Sequence, residues 1–176
     1  MKNFFWIFFL LVPQVQALFA QKTEVEKRIP EKSFPGNALL WLNAEFAQRK
    51  CLRYYLETDG DTTNFEAKFK WQGERYSVEF FKNGLLKDIE KQIRFKDIPA
   101  STQAVIQEKF QRVFKKFKVL KVQEQTLPNT PGKRYEIEVK GKNDSGTALF
   151  EYLFEADGRL VLSRQIILPP NNITLY

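Results

Sequence analysis

The sequence lacks histidine, holds one cysteine among its 176 residues, and contains no apolar run long enough to cross a bilayer. Without an imidazole, the chain cannot carry a Ser-His-Asp or Cys-His catalytic unit, or a histidine zinc site. One thiol cannot close a disulfide within the chain, so the fold must be stabilised by its apolar core. Aromatic residues make up 15% of the sequence and supply bulky side chains for that core.

The first twenty residues are typical of a signal peptide. Lys2 precedes an apolar run over residues 4–12, which is shorter than the roughly 20 residues that a membrane-spanning helix needs. Small residues follow at Ala17 and Ala20, and the polar Gln21 favours cleavage after Ala20 over cleavage after Ala17. We therefore expect an exported protein, periplasmic or extracellular, without a transmembrane segment.

The rest of the chain contains one unit twice. A shift of 64 positions brings matching residue classes into line, and longer loops extend the match. The aligned pairs are residues 25–29 with 89–93, Phe34-Pro35 with Ile98-Pro99, and Gly84 with Gly158. Such repetition predicts two copies of one folding unit. The expected divisions are a signal peptide at 1–20, repeats at 21–96 and 97–168, and a C-terminal tail at 169–176.

Each unit has the pattern of one helix followed by antiparallel strands. Pro35 and Pro99 stand where a first helical turn tolerates proline, and apolar residues recur after them at helical spacing. The residues expected on the buried helix faces are Leu39, Leu42 and Phe46 in the first unit, and Ile106, Phe110, Val113, Phe114 and Phe117 in the second. Period-two alternation and Gly-containing turns follow. The sequence thus predicts an α+β fold, in which two tandem αβββ(β) repeats form one extended antiparallel sheet with both helices packed on one face.

The order of these elements resembles a known family. Its landmarks are Ile98-Pro99, the Tyr-Glu-Ile-Glu-Val strand at 135–139 and the Phe-Glu-Ala-Asp-Gly hairpin at 154–158. They resemble the PepSY-like, β-lactamase-inhibitor-like proteins that Bacteroidetes export. The resemblance implies a tandem repeat with an extended sheet, similar to secreted proteins that clamp an enzyme with an open sheet face. Those inhibitors carry disulfides within each repeat, which this chain cannot form.

The strand face that points away from the helices is the predicted binding surface. Tyr55 and Phe81 are the expected anchors, because aromatic side chains dominate interface energetics. Arg53, Lys68 and Lys70 lie beside them in the pattern. We predict a non-enzymatic module that binds a protein of the cell envelope through this open face, with inhibition of an envelope enzyme as one form. The alternative is a periplasmic protein that binds or senses a small ligand or an envelope lipid or polysaccharide.

No residue pattern predicts catalysis, a metal or a cofactor. Glu66, Glu136 and Glu138 are interpreted as solvent-facing partners of strand lysines. The acidic stretch that begins at Asp59 is interpreted as a hairpin turn, since Lys70 stands where a calcium loop needs a bidentate glutamate. Cys51 is expected to be a small buried residue.

The formal net charge is +7, and it becomes +6 if Lys2 is removed with the signal peptide. Basic residues concentrate around the second helix and the segment after it, at Lys109, Arg112, Lys115, Lys116, Lys118 and Lys121. Such a patch attracts anionic lipid headgroups, envelope polysaccharide or an acidic protein; contact with a membrane surface through the basic helix is one expectation. A solvated helix face is the alternative. Nucleic acid is not expected as a partner of an exported chain without a nucleic-acid motif.

Overall fold

Ten strands and two helices make up the part of the chain that the computed structural model describes, residues 20–23 and 25–167. The strands are β1 (Ala20–Lys22), β2 (Val25–Ile29), β3 (Lys50–Asp59), β4 (Thr62–Trp71), β5 (Glu74–Phe81), β6 (Leu86–Gln92), β7 (Lys116–Thr126), β8 (Arg134–Asn143), β9 (Gly146–Glu155) and β10 (Leu160–Ile166). The helices are α1 (Gly36–Glu45) and α2 (Ala100–Val113). The apolar run of the predicted signal peptide at 4–12, the alternative cleavage position after Ala17 and the predicted tail at 169–176 lie outside the described residues.

All ten strands join one sheet in the order β1-β10-β9-β8-β7-β6-β5-β4-β3-β2. Each neighbouring pair is antiparallel except β1 and β10, which run parallel. The predicted α+β class is confirmed, with β1 and β2, which precede the first helix, as additions that the sequence pattern did not indicate. Among the described residues, neither helix has the length and apolar character to cross a membrane.

Each helix covers its own apolar core on the same face of the sheet. Leu42 of α1 and Phe110 of α2 are completely buried, and the ring of Phe110 meets that of Tyr152 edge-on at 5.0 Å. We call the core around Leu42 the first core and the core around Phe110 the second core. Ile89 of β6 packs against the first core, while Ile93, just beyond the end of β6, packs against the second core. Burial of each such side chain contributes about 1.5–3 kcal/mol, so the helix-covered face supplies most of the fold's stability.

The two helices begin 64 positions apart, which is the spacing at which the sequence halves align. The first turn of each helix contacts a hairpin turn of the sheet, between β5 and β6 for α1 and between β9 and β10 for α2. Asn37 Nδ2 donates to the carbonyl oxygen of Asn83 at 3.0 Å, and Thr102 Oγ1 donates to that of Ala156 at 2.7 Å. Gly84, beside Asn83, has φ +77°, and a Cβ there would overlap the Asn37 side chain. This position therefore requires glycine.

One helix boundary differs from the prediction. α2 ends at Val113, and Phe114 already has extended backbone angles, φ −121° and ψ 136°. Phe117 lies in β7 rather than on the helix. The physical reason is the alternation of apolar and basic residues from Phe117 onward, which suits a strand paired with β8. Phe114 and Phe117 still pack against the second core.

The sheet curls with its polar face inward. β1 and β2 are separated only by residues 23 and 24, yet they occupy opposite edges of the strand order. A side-chain contact also joins distant strands across the polar face, where Arg164 Nη1 of β10 lies 2.7 Å from Asp59 Oδ2 of β3. The face that the sequence predicted to be open is therefore the concave inner side of the sheet.

Candidate functional site

The concave face buries an unusual number of polar side chains. Its buried polar residues are Glu57, Asn64, Glu66, Ser77, Asp88, Glu90, Gln123, Gln125 and Glu151. Strand alternation places them opposite the helices, as predicted, but the curl removes them from bulk water. Glu66, expected on a solvent face, is only 4% exposed, so that part of the prediction is wrong. Buried charges need partners, and the arrangement of partners divides this face into two regions.

Ion pairs hold the region near the sheet edges. Glu151, 2% exposed, lies 2.5 Å from Lys22 of β1 and 2.7 Å from Arg164 of β10. Burial alone would raise the pKa of the Glu151 carboxyl, but the attraction of Lys22 and then of Arg164 outweighs it and lowers that pKa. Arg164 also reaches Asp59. This network therefore fastens β1 to the sheet and draws the two edges together.

The middle of the face concentrates carboxyl groups with fewer cations. Burial raises the pKa of Asp88 to about 8, with the nearby Glu79 adding to the shift. Burial, followed by the charge of Glu151, raises that of Glu136 to about 7. Burial and then Glu136 raise the pKa of Glu90 well above its usual value. Asp88 and Glu136 are therefore protonated in part near neutral pH.

A cluster of three glutamates on the concave face already contains a cation. Carboxylate oxygens of Glu26, Glu57 and Glu66 lie within 4.8 Å of one another, which is close enough for a metal. The Lys68 ammonium lies 2.5 Å from Glu26 and 3.1 Å from Glu66, however, and also sits 5.2 Å from the ring centre of Tyr55. The lysine supplies the positive charge that these carboxylates need, so the geometry does not call for a metal ion.

A recess of about 470 Å³ opens at one end of the concave face. We call it the basic recess; its cationic lining residues are Arg53, Lys68, Lys70, Arg75 and Lys121. Tyr55, Gln92 and Gln123 also line it. The structure thus brings together four of the five residues predicted for partner binding, Arg53, Tyr55, Lys68 and Lys70. Phe81 is 47% exposed and lies at the other end of β5, outside the recess.

Three of the five cations that line the basic recess have no counterion in the part of the chain that the structure describes. Within the described ranges, Arg53, Lys70 and Arg75 have no carboxylate within 4.0 Å, unlike Lys68 and Lys121. Lys70 lies directly across from Lys50 on β3 and from Arg75 on β5. Like charges in directly opposed positions repel one another. The recess therefore presents positive charge that the protein itself leaves uncompensated.

Cys51 differs from its prediction. It is exposed and lines the basic recess. Strand alternation places it on the same face as Arg53 and Tyr55, and its φ of +57° marks the irregular pairing between Lys50 and Arg53. The period-two pattern could not reveal this irregularity, and for the same reason it did not place Lys50 opposite Lys70.

The six residues of the predicted basic patch do not form one surface. Lys109 and Arg112 lie on α2, where Arg112 pairs with Glu108, and Lys115 pairs with Asp144. Lys121 lies in the concave face, 3.3 Å from Glu138. Lys116 and Lys118, on β7, face Lys142 and Lys140 of β8. The separation follows from the early end of α2, because strand residues alternate between the two faces.

Comparisons with known proteins point to a shared fold. No protein-family model and no curated protein matches the chain. A BLIP-like protein of Bacteroides fragilis is 14% identical, with 81% of this chain and 92% of that one covered and a TM-score of 0.57. A DUF2874 family protein of Bacteroides ovatus is also 14% identical, with 76% and 88% covered and a TM-score of 0.59. A protein of Bacteroides eggerthii described as periplasmic is 14% identical, with 75% and 88% covered and a TM-score of 0.59.

These identities establish likeness of fold alone. The BLIP-like match agrees with the sequence resemblance to β-lactamase-inhibitor-like proteins. The PepSY-like part of that resemblance stays a prediction.

Proposed function

We propose that this chain is an exported, non-enzymatic binding protein of the periplasm that holds an anionic ligand in the basic recess. The observation that carries the proposal is the group of Arg53, Lys70 and Arg75, which line one cavity and have no carboxylate partner among the described residues. The periplasmic location is supported by the signal-like N-terminus and by the description of the similar B. eggerthii protein.

Electrostatics favours an anion in this cavity. Three neighbouring positive charges repel one another, and an anion placed between them removes the repulsion and adds charge-assisted hydrogen bonds. Arginine is suited to carboxylate, phosphate and sulfate groups because its planar guanidinium donates two parallel hydrogen bonds. The cavity volume of about 470 Å³ lies within the roughly 300–1,000 Å³ of ordinary ligand sites.

The buried carboxyl groups support a binding role rather than a catalytic one. Asp88 and Glu90 are buried and accept hydrogen bonds from Gln125 and Gln123 at 3.3 and 2.5 Å. Both groups line a cavity of about 420 Å³ on the concave face, but no serine, cysteine or histidine is among the described residues that line it with them, so neither carboxyl group has a serine or cysteine nucleophile or an imidazole base beside it.

The curl of the sheet also bears on the protein partner that the sequence predicted. A broad protein surface cannot contact the middle of a concave face whose side chains are buried. A narrow ligand can enter at the basic end, where Tyr55 offers a ring for contact. The ligands that fit are therefore anionic groups thin enough to enter the recess.

The test is titration calorimetry of the purified protein with digalacturonate, a small dicarboxylate sugar, and with the neutral disaccharide maltose. We expect heat from digalacturonate only, and an affinity at least about tenfold weaker in Arg53→Gln/Arg75→Gln. The matched control, Lys109→Gln/Arg112→Gln, loses two charges on α2 and should bind as the wild type does. Equal binding by both double variants, or no binding of digalacturonate by the wild type, contradicts the proposed site.

A further inference from the structure

The two halves of the sheet carry the same arrangement of basic residues. The first basic cluster consists of Lys50 and Arg53 of β3 with Lys68 and Lys70 of β4. The second basic cluster consists of Lys116 and Lys118 of β7 with Lys140 and Lys142 of β8. In each, the first residue of one strand lies directly across from the penultimate residue of the next, as Lys50 does with Lys70 and Lys116 with Lys142.

The second basic cluster is as uncompensated as the recess. Its four lysines are exposed, and none has a carboxylate within 4.0 Å among residues 20–23 and 25–167. The two directly opposed pairs, Lys116 with Lys142 and Lys118 with Lys140, repel one another across the strands. The positive charge of these lysines makes the second basic cluster a second site that attracts anionic groups.

Both clusters lie at the same end of the sheet and on its concave side. β3 and β7 are separated by an even number of antiparallel steps, so their first residues lie at the same end. β4 and β7 are three strands apart, which corresponds to about 14 Å along the sheet at about 4.8 Å a strand. A flat bilayer would meet only the rim of such a surface, whereas a linear polyanion can follow its inner side from one cluster to the other.

The buried side-chain amide of Gln123 indicates that the ligand carries hydroxyl groups as well as negative charge. Gln123 is 4% exposed and lines the basic recess. Its Nε2 donates to Glu90 at 2.5 Å, while no group of the described residues donates a hydrogen bond to its Oε1. A buried acceptor without a donor has lost its hydrogen bonds to water and gained none in return, which is unfavourable. A ligand hydroxyl would satisfy it, and inorganic polyanions such as polyphosphate chains have hydroxyls only at their ends.

We propose that the two basic clusters together bind one acidic, linear polysaccharide. One acidic sugar of this polysaccharide lies in the basic recess, and another acidic sugar further along it lies at the second basic cluster. This inference rests on the proposed function, because its first contact is the recess. Once one sugar is bound in the recess, the rest of the same ligand is held close to the second basic cluster, which raises its effective concentration there. The affinity should therefore depend on whether the ligand is long enough to reach both clusters.

The experiment measures the affinity of fluorescent oligogalacturonates, from dimer to decamer, by anisotropy. For the wild type we expect a rise of at least about tenfold at the length that first reaches both clusters. Lys116→Gln/Lys142→Gln should bind the dimer normally and lose that rise. Lys109→Gln/Arg112→Gln, with the same loss of charge on the other face, should keep it.

The outcomes separate the two proposals. If the dimer binds but affinity does not rise with length, or if the second-cluster variant keeps the rise, the bridging polysaccharide is overturned and the recess site stands. If the dimer fails to bind wild type, the recess site falls as well. Polyphosphate of matched length binding as tightly as the decamer, or anionic vesicles binding in its place, overturns the assignment to a saccharide.

Discussion

The two faces of this sheet are built from the same strands by the same alternation, but they differ in what they bury. The helix side buries aromatic and aliphatic side chains in two cores around Leu42 and Phe110. The concave side buries carboxyl groups such as Glu90 and Glu151, and it leaves cations such as Arg53 without a counterion among the residues that the structure describes. Apolar burial is favourable by itself, whereas each buried charge depends on a particular partner. Stability therefore comes mainly from the helix side, and the capacity to bind a ligand lies on the concave side.

The largest effect should come from truncating a phenylalanine on the helix side. Phe110→Ala removes a completely buried ring and should lower the free energy of unfolding by about 3–5 kcal/mol. Phe81→Ala removes a ring that is 47% exposed on the other side and should cost about 1 kcal/mol or less. Urea denaturation of both variants measures the contrast, and equal losses would contradict the assignment of stability to the helix side.

Two neighbouring carboxyl groups of the concave side should respond in opposite directions. Glu151→Gln leaves Lys22 and Arg164 short of their shared anion and should destabilise the protein by about 3 kcal/mol. Glu136→Gln replaces a carboxyl whose pKa burial raises to about 7, so at pH 8 it should stabilise the protein by about 1 kcal/mol. Melting temperatures at pH 8 test this, and a loss in both variants would refute the division of roles.

Stability should rise as the pH falls from about 8.5 to about 5.5. Burial raises the pKa of Asp88 to about 8 and that of Glu136 to about 7, so the folded state binds protons there that the unfolded chain releases. Their contribution is complete below the unfolded pKa of about 4 and is lost as the pH rises through the folded values. The lowered pKa of Glu151 acts oppositely and removes stability below about pH 4. Asp88→Asn should flatten the melting-temperature profile between pH 5.5 and 8.5, and an unchanged slope would count against the buried carboxyl group.

The smallest effect on stability belongs to the second basic cluster. Lys116→Gln/Lys142→Gln removes a directly opposed like-charge pair and should leave the free energy of unfolding unchanged or raise it by about 0.5 kcal/mol. The same variant should lose the length-dependent gain in oligogalacturonate binding. A measurable destabilisation in urea would mean that these lysines support the fold rather than a ligand.

Local patterns predicted the helices, the strand alternation and the face that Tyr55 and Lys68 occupy, because these depend on neighbours in sequence. The curl was not predictable, since it depends on β1 pairing with β10 and on Arg164 reaching Asp59 across the sheet. The irregular pairing at Cys51 likewise hid Lys50 from the predicted site. Alternation describes which face a side chain takes, but long-range pairing decides whether that face is open.

The most direct measurement of the central claim is a map of amide chemical shifts of the ¹⁵N-labelled protein during titration with oligogalacturonate. We expect the shifts to concentrate at the basic end of the concave face, in the first residues of β3 and β7 and the last residues of β4 and β8, with Gln123 among them. Shifts confined to α1 and α2, or to the end of the sheet that carries Phe81, would contradict it.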